Sequence, residues 1–180
     1  GPRYLPPAVF RRFQAIGQQL SRELQLIGLF GVDAVLTNSD VFAIEINPRY
    51  SASIEVLERA SAQRTSVRRS HRLLSIDWHE AACCFRTLPA PVGQSDECCG
   101  GKKIIFAKRD GNFEAAAARW VLEQNLTVSQ PAVADIPAVG TTIQAGQPIL
   151  TLLADGSDAG SVRNELHRLQ SSLATVLPIV

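Results

Sequence analysis

The sequence predicts an α+β fold with two subdomains, on three observations. Apolar residues recur at three- and four-residue steps near both ends of the chain, the mark of amphipathic helices. Two short runs rich in Val, Ile, Leu and Phe flank a turn cluster near residue 38, the mark of a β-hairpin. Beyond residue 101, short apolar runs alternate with glycine turns and end in one more helix. Helices and strands alternate first and short strands dominate later, which is the α+β pattern. The expected boundaries are 1–62, a helical and loop connection over 63–101, and a small α+β subdomain over 102–180.

The elements follow in order. Pro6 and Pro7 lead into a helix that ends by Gly28, with Val9, Phe10, Phe13, Ile16, Leu20, Leu24 and Ile27 on one stripe. Such stripes are core, so this helix receives no catalytic role and should pack on the apolar face of the hairpin. The hairpin strands are Leu29–Leu36 and Val41–Asn47, joined by Thr37-Asn38-Ser39-Asp40. A second helix covers Ser51–Ala62, with Ile54, Leu57 and Ala60 inward. Gln63–Arg72 carries Arg64, Arg68, Arg69, His71 and Arg72 and reads as a solvated linker or helix face, with an anion-binding strip as the alternative. A helix over Leu73–Phe85 places Leu74, Trp78, Ala81, Ala82 and Phe85 on one side. Leu88–Gly101 is a loop. Lys103–Lys108 is a strand, and Glu114–Gln124 is a helix with Ala117, Trp120 and Val121 inward. Val133–Pro137 and Gly140–Leu152 are short strands joined by glycine turns. Ser161–Val176 is a helix with Val162, Leu166, Leu169, Leu173 and Val176 on its stripe.

Composition excludes several classes. The 180 residues are 46% hydrophobic and 19% charged, enough for a packed core. The formal net charge of +1 argues against a nucleic-acid surface. No apolar run approaches the roughly 20 residues that span a bilayer. The pattern predicts a globular, cytoplasmic chain. The sequence has no methionine and begins Gly-Pro, which suggests a fragment or a processed start.

Acids are unusual in apolar strands, and this hairpin carries two. Alternation puts Asp33, Glu45 and Asn47 on one face. The self-consistent register sets Asp33 opposite Glu45, Gly31 opposite Asn47 and Val35 opposite Ala43. That register calls for an odd connection, such as three residues. Opposed acids repel by up to about 1 kcal/mol when exposed, and a cation removes that cost. Two carboxylates and a carboxamide suit Mg²⁺ or Mn²⁺ rather than zinc. Arg49 follows, and a helix begins just beyond it; guanidinium groups and helix N-termini both favour anions. The bland alternative is a solvated hairpin whose acids face water.

Gly31-Val32-Asp33-Ala34-Val35-Leu36, a turn, and Phe42-Ala43-Ile44-Glu45-Ile46-Asn47-Pro48-Arg49-Tyr50-Ser51-Ala52-Ser53-Ile54-Glu55 resemble the metal-binding end of the ATP-grasp superfamily. The resemblance covers about Leu29–Glu58 and looks most like a carboligase-like branch related to biotin carboxylase and D-alanine–D-alanine ligase. It implies the C-terminal half of an ATP-grasp domain, followed by a small β-rich subdomain with a C-terminal helix. It also implies a ligase that forms an acyl phosphate from ATP and a small carboxylate, which an amine or related nucleophile then attacks. Asp33 would bind one magnesium, Glu45 would bridge two, and Asn47 would complete the second. Glu45 and Asn47 would thereby also hold ATP, and Arg49 would be the catalytic contact to the transferred phosphoryl group. His79-Glu80-Ala81-Ala82-Cys83 and Gly140–Ile149 add weaker likeness. The lysine-bearing half of the grasp has no counterpart, because Lys102, Lys103 and Lys108 are the only lysines and lie downstream. The chain is therefore expected to be inactive alone, contributing metal ligands within a longer parent. The alternatives are a non-catalytic scaffold module derived from the same fold, or an unrelated domain whose hairpin binds one Ca²⁺ or nothing.

Cys83-Cys84 and Cys98-Cys99 sit as adjacent pairs near His79. They lack the spacing of common zinc sites, and two buried helix thiols with two loop thiols in a reducing compartment is the expectation, with a disulfide between the pairs as an alternative. Gly100-Gly101-Lys102-Lys103 lacks the spacing and the hydroxyl residue of a phosphate loop. No nucleophile elbow supports hydrolase chemistry, and His71 and His167 read as surface residues.

Overall fold

A computed structural model describes residues 5–37, 40–64, 74–88, 99–126 and 130–180. Residues 89–98 of the predicted Leu88–Gly101 loop, most of the basic strip and two residues of the hairpin turn lie outside the described residues, while Cys99–Gly101, also read as loop, are strand. The chain forms two compact units, one of residues 2–58 and 65–94, the other of 59–64 and 95–180. The fold is mixed helix and sheet, as the sequence predicts.

The first unit opens with α1 (Pro7–Glu23). Proline at the first helical position costs nothing, since its missing N–H has no intrahelical partner there. The helix stops at Glu23, before Gly28 as expected, and Gln25 and Gly28 beyond it both take positive φ (51° and 87°). Strands β1 (Gly31–Leu36) and β2 (Val41–Asn47) form an antiparallel two-stranded sheet. Helix α1 packs on β2, and Arg12 pairs with Asp40 at the hairpin end. That guanidinium, after the Val41 amide, holds the Asp40 carboxyl below its usual range. Val9, Phe13, Ile16 and Leu20 are half-buried, yet Phe10, Leu24 and Ile27 are about half exposed. Helix α2 (Ala52–Arg64) begins in this unit and ends in the other.

Helix α3 (Leu74–Cys83) buries Ala81 and half-buries Trp78 and Ala82. Phe85, expected on the same side, is 86% exposed. The helix has ended by then and Phe85 itself has φ 52°, so helical spacing no longer directs its side chain.

The second unit holds the larger core. Strands β3 (Cys99–Phe106), β7 (Pro148–Gly156) and β5 (Val133–Ala134) make an antiparallel sheet in the order β3-β7-β5. Strand β7 is continuously apolar from Ile149 to Ala154 apart from Thr151, as a central strand covered on both faces should be. Thr151 is accommodated by donating its hydroxyl to Asp135 at 2.7 Å. Strands β4 (Gly111–Asn112) and β6 (Thr142–Ile143) form a short side ladder; β4 is too brief to be read from a pattern.

Helix α4 (Ala115–Leu126) buries Ala117, Trp120 and Val121, the predicted three. Helix α5 (Ala159–Val176) buries Val162, Leu166, Leu169 and Leu173 of the predicted stripe. Asp158 caps α5 through the Gly160 and Ser161 amides, while the Ser161 hydroxyl reaches back to the Asp158 amide. Arg59 is buried and donates to Asp155 Oδ1 at 2.7 Å and to the Pro131 carbonyl at 2.6 Å, all three within this unit.

Candidate metal–phosphate site

The hairpin builds the site. Gly31 pairs with Asn47 and Asp33 with Glu45, as the alternation requires. The third predicted pair fails: Val35 stands opposite Phe42, and Ala34 opposite Ala43. A register shift after Asp33 leaves Ile44 without a partner, a β-bulge that inserts one residue into β2. The connection is therefore four residues, Thr37–Asp40, between the closing pair Leu36 and Val41. The bulge absorbs the extra residue that an odd loop was expected to supply.

The bulge changes the faces. Counted through the paired positions, one face carries Gly31 and Asn47, then Asp33 and Glu45, then Val35 and Phe42. The other carries Val32 and Ile46, Ala34 and Ala43, Leu36 and Val41, and Val41 is buried. Strict alternation from Glu45 would put Phe42 on that reverse face. Instead Phe42 and Val35, about half exposed, stand beside the acids, and the bulged Ile44 is 68% exposed. An inserted residue between apolar neighbours leaves no trace in composition, so nothing in the sequence marks it.

Asp33 and Glu45 are both exposed, and Asn47 is half-buried. The Asn47 Nδ2 donates to Asp33 Oδ2 at 3.4 Å, so these two side chains already converge. Among the described residues no three or more His, Cys, Asp or Glu side chains are grouped so as to hold a metal ion by themselves. The donor set here is two carboxylates and one carboxamide, hard oxygens that fit Mg²⁺ or Mn²⁺ and leave room for water and phosphate. Turning the Asn47 amide would present its oxygen in place of its nitrogen.

Beyond Asn47 the chain turns tightly at Pro48, where the Arg49 amide donates to the Asn47 carbonyl at 2.8 Å. Arg49 is exposed and its guanidinium donates to the Tyr50 carbonyl at 3.3 Å. Among the described residues no ion pair joins Arg49 to Asp33 or Glu45. Ser51 precedes α2, its carbonyl accepting from Ile54 and its hydroxyl lying 3.0 Å from that of Ser53. An ideal Cβ on Gly31 would sit in ordinary contact with Ser51 and Asn47, so the first strand and the turn meet there.

Two residues that support this turn went unread in the sequence. The Tyr50 hydroxyl donates to Glu58 Oε2 at 2.8 Å, and Glu58 Oε1 accepts from the Ser75 amide at 3.2 Å. Burial, then the Glu58 carboxylate, pushes the Tyr50 hydroxyl well above its ordinary range, so it remains a donor. Neither spacing belongs to a helix or strand period, and no pattern could have reported it.

Of the other candidates, Cys83, Cys84 and Cys99 are free thiols, and Cys83 and Cys84, expected buried in the helix, are exposed where α3 ends. His79 Nδ1 accepts from the Leu29 amide at 3.2 Å and Nε2 lies 3.6 Å from Cys83 Sγ. His79 thus braces the entry to β1.

An antiparallel hairpin that presents opposed acids and an asparagine before a helix N-terminus places hard oxygen donors beside a helix end that favours anions. Residues 9–53 match the family model described as ATP-grasp domain. The likeness to that family is carried by this stretch. It is 34% identical over 61 residues to the carbamoyl phosphate synthase large chain of Thermoplasma volcanium, covering 34% of this chain and 6% of that protein. Its fold resembles N5-carboxyaminoimidazole ribonucleotide synthetase from Thermotoga maritima, with TM-score 0.56 and 12% identity over 95% of this chain. It also resembles the phosphoribosylaminoimidazole carboxylase ATPase subunit from Aquifex aeolicus, with TM-score 0.52 and 13% identity over 95% of this chain. The chain spans 43% and 47% of those two structures, less than half of either. No helix among the described residues is long and apolar enough to cross a membrane.

Proposed function

We propose that this chain supplies the metal–phosphate end of an ATP-dependent carboxylate ligase, and acts within a longer protein rather than alone. The observation that carries the reading is the pairing of Asp33 with Glu45, one residue pair from Asn47, on an exposed strand face. Opposed carboxylates are unfavourable unless a cation lies between them or water screens them. Asp33, Glu45 and Asn47 would hold Mg²⁺ or Mn²⁺ against the phosphates of ATP. The metal would neutralise charge on the phosphoryl group in transfer, the main contribution proteins make to such chemistry. Arg49, a planar fork of donors, would meet the transferred group.

The reaction class that the superfamily supports is attack of a carboxylate on the γ-phosphorus, with ADP leaving and an acyl phosphate formed. A second nucleophile then displaces phosphate. The Asn47-Pro48-Arg49 ending supports the carboligase-like branch, and the nucleophile is an amine or related group.

Titrating Mn²⁺ with a non-hydrolysable ATP analogue, read by water-proton relaxation, tests the site. Wild-type chain should show enhancement that requires both components. Glu45→Gln should lower the apparent affinity at least about tenfold, as for loss of a charged metal ligand. Equal enhancement in both proteins would refute the assignment. Purified residues 1–180 should show no ATP turnover; turnover abolished by Asp33→Ala would show that the chain acts alone.

A further inference from the structure

We infer that Glu58 is a positioning residue for Arg49, acting through Tyr50; the inference rests on the metal–phosphate reading above. Arg49 is the one strong cation of the turn that follows Asn47, yet it is exposed and bound only to its own neighbour's carbonyl at 3.3 Å among the described contacts. A long exposed side chain on a short turn loses rotamer freedom on meeting a phosphate, and a mobile backbone would add to that cost. The turn is held at both ends. Asn47 is fixed by its strand pair, Gly31, and by the Pro48 turn. Tyr50 is fixed by Glu58, two turns into α2, whose other oxygen takes the Ser75 amide at the start of α3.

The two oxygens of Glu58 thus join three elements of one unit: the turn, α2 and α3. A carboxylate is needed, because both partners are donors: a phenol kept protonated by burial and by Glu58, and a backbone amide. Glutamine could accept with only one of its two terminal atoms. Glu58 is half-buried and takes no place on the face shared by Asp33 and Glu45, so its effect on that face runs through Tyr50.

Two measurements separate this inference from the site assignment. The first needs no ligand: native-state trypsin cleavage after Arg49, followed by mass spectrometry against cleavage after exposed Arg163 as internal standard. Glu58→Gln and Tyr50→Phe should each raise the relative rate at Arg49 at least about fivefold, the worth of one hydrogen bond to a charged group. An unchanged rate overturns the inference and leaves the metal site untouched. The second is a double-mutant cycle in the Mn²⁺–nucleotide titration. Glu58→Gln should weaken binding about fivefold in wild type and by less than about twofold when Arg49 is already glutamine. Equal losses in both backgrounds would reduce Glu58 to a general structural role and overturn the inference. If Glu45→Gln has no effect, the site assignment falls and takes this inference with it.

Discussion

Two glycines with opposite surroundings show how the backbone sets the sign of a substitution. Gly17 lies within α1, and a Cβ there would meet nothing within 4 Å. Gly28 has φ 87°, and a Cβ there would overlap the His79 ring. Alanine at 17 removes unfolded-state freedom in a helix interior, so Gly17→Ala should stabilise the first unit by about 0.5–1 kcal/mol. Alanine at 28 must adopt a left-handed backbone and displace His79 from its bond to Leu29, so Gly28→Ala should destabilise by at least about 2 kcal/mol. Urea unfolding followed by Trp78 fluorescence measures both. The same sign for the two variants would mean that the His79 brace has no energetic weight. The acids of the site were visible at this scale because carboxylates are rare in apolar strands. Tyr50 and Glu58 were not, since a bond between a turn and a helix has no period to betray it.

At the level of elements, hydrophobic periodicity was most informative where one face is fully covered. Val162, Leu166, Leu169 and Leu173 of the α5 stripe and the inward trio of α4 are buried as read, because each helix packs on a sheet or helix of its own unit. It failed where an element ends or bends, since Phe85 lies beyond α3 and the Ile44 bulge moves Phe42 to the face of the acids, and in α2, where Leu57, read as inward, is 65% exposed. The cap of α5 makes a pH-dependent claim. Backbone bonds from Ser161 and then Gly160 hold the Asp158 carboxyl below its ordinary range. A depressed carboxyl stabilises the folded state above its unfolded pKa of about 3.9, and that contribution is lost as pH falls through the lower folded value. Asp158→Asn keeps an acceptor but cannot titrate. The wild-type thermal midpoint should therefore exceed that of Asp158→Asn at pH 6, and the gap should close as pH falls through the depressed carboxyl's range. A gap that does not change with pH would show that the cap owes nothing to its charge.

On the scale of the whole molecule, burial is distributed unequally, and that bears on function. The core cluster of Phe113, Leu152, Leu169, Leu173 and their neighbours lies within residues 105–179. The unit that carries the site buries little: helix α1 has no buried residue, and Val41, Ser75 and Ala81 are its buried side chains among those described. At about 25 cal/mol per Å² of apolar surface removed from water, that difference sets which backbone opens first. Amide exchange should proceed by local opening in α1, β1 and β2. In β7 and α5 it should need the unfolding of their own unit, and so run at least about a hundredfold slower. Binding then has a specific signature. A ligand stabilises only the states that bind it, so Mn²⁺ with an ATP analogue should slow exchange across residues 31–47 and the first turn of α2. It should leave β7 and α5 unchanged, because their exchange already requires a different unfolding event. Mass-resolved exchange of the 180-residue chain with and without the pair measures both parts. Uniform slowing along the chain would mean that binding is coupled to global stability rather than to the hairpin. Slowing confined to the hairpin in wild type, and absent in Glu45→Gln, would place metal and phosphate on the strand face where the two acids meet.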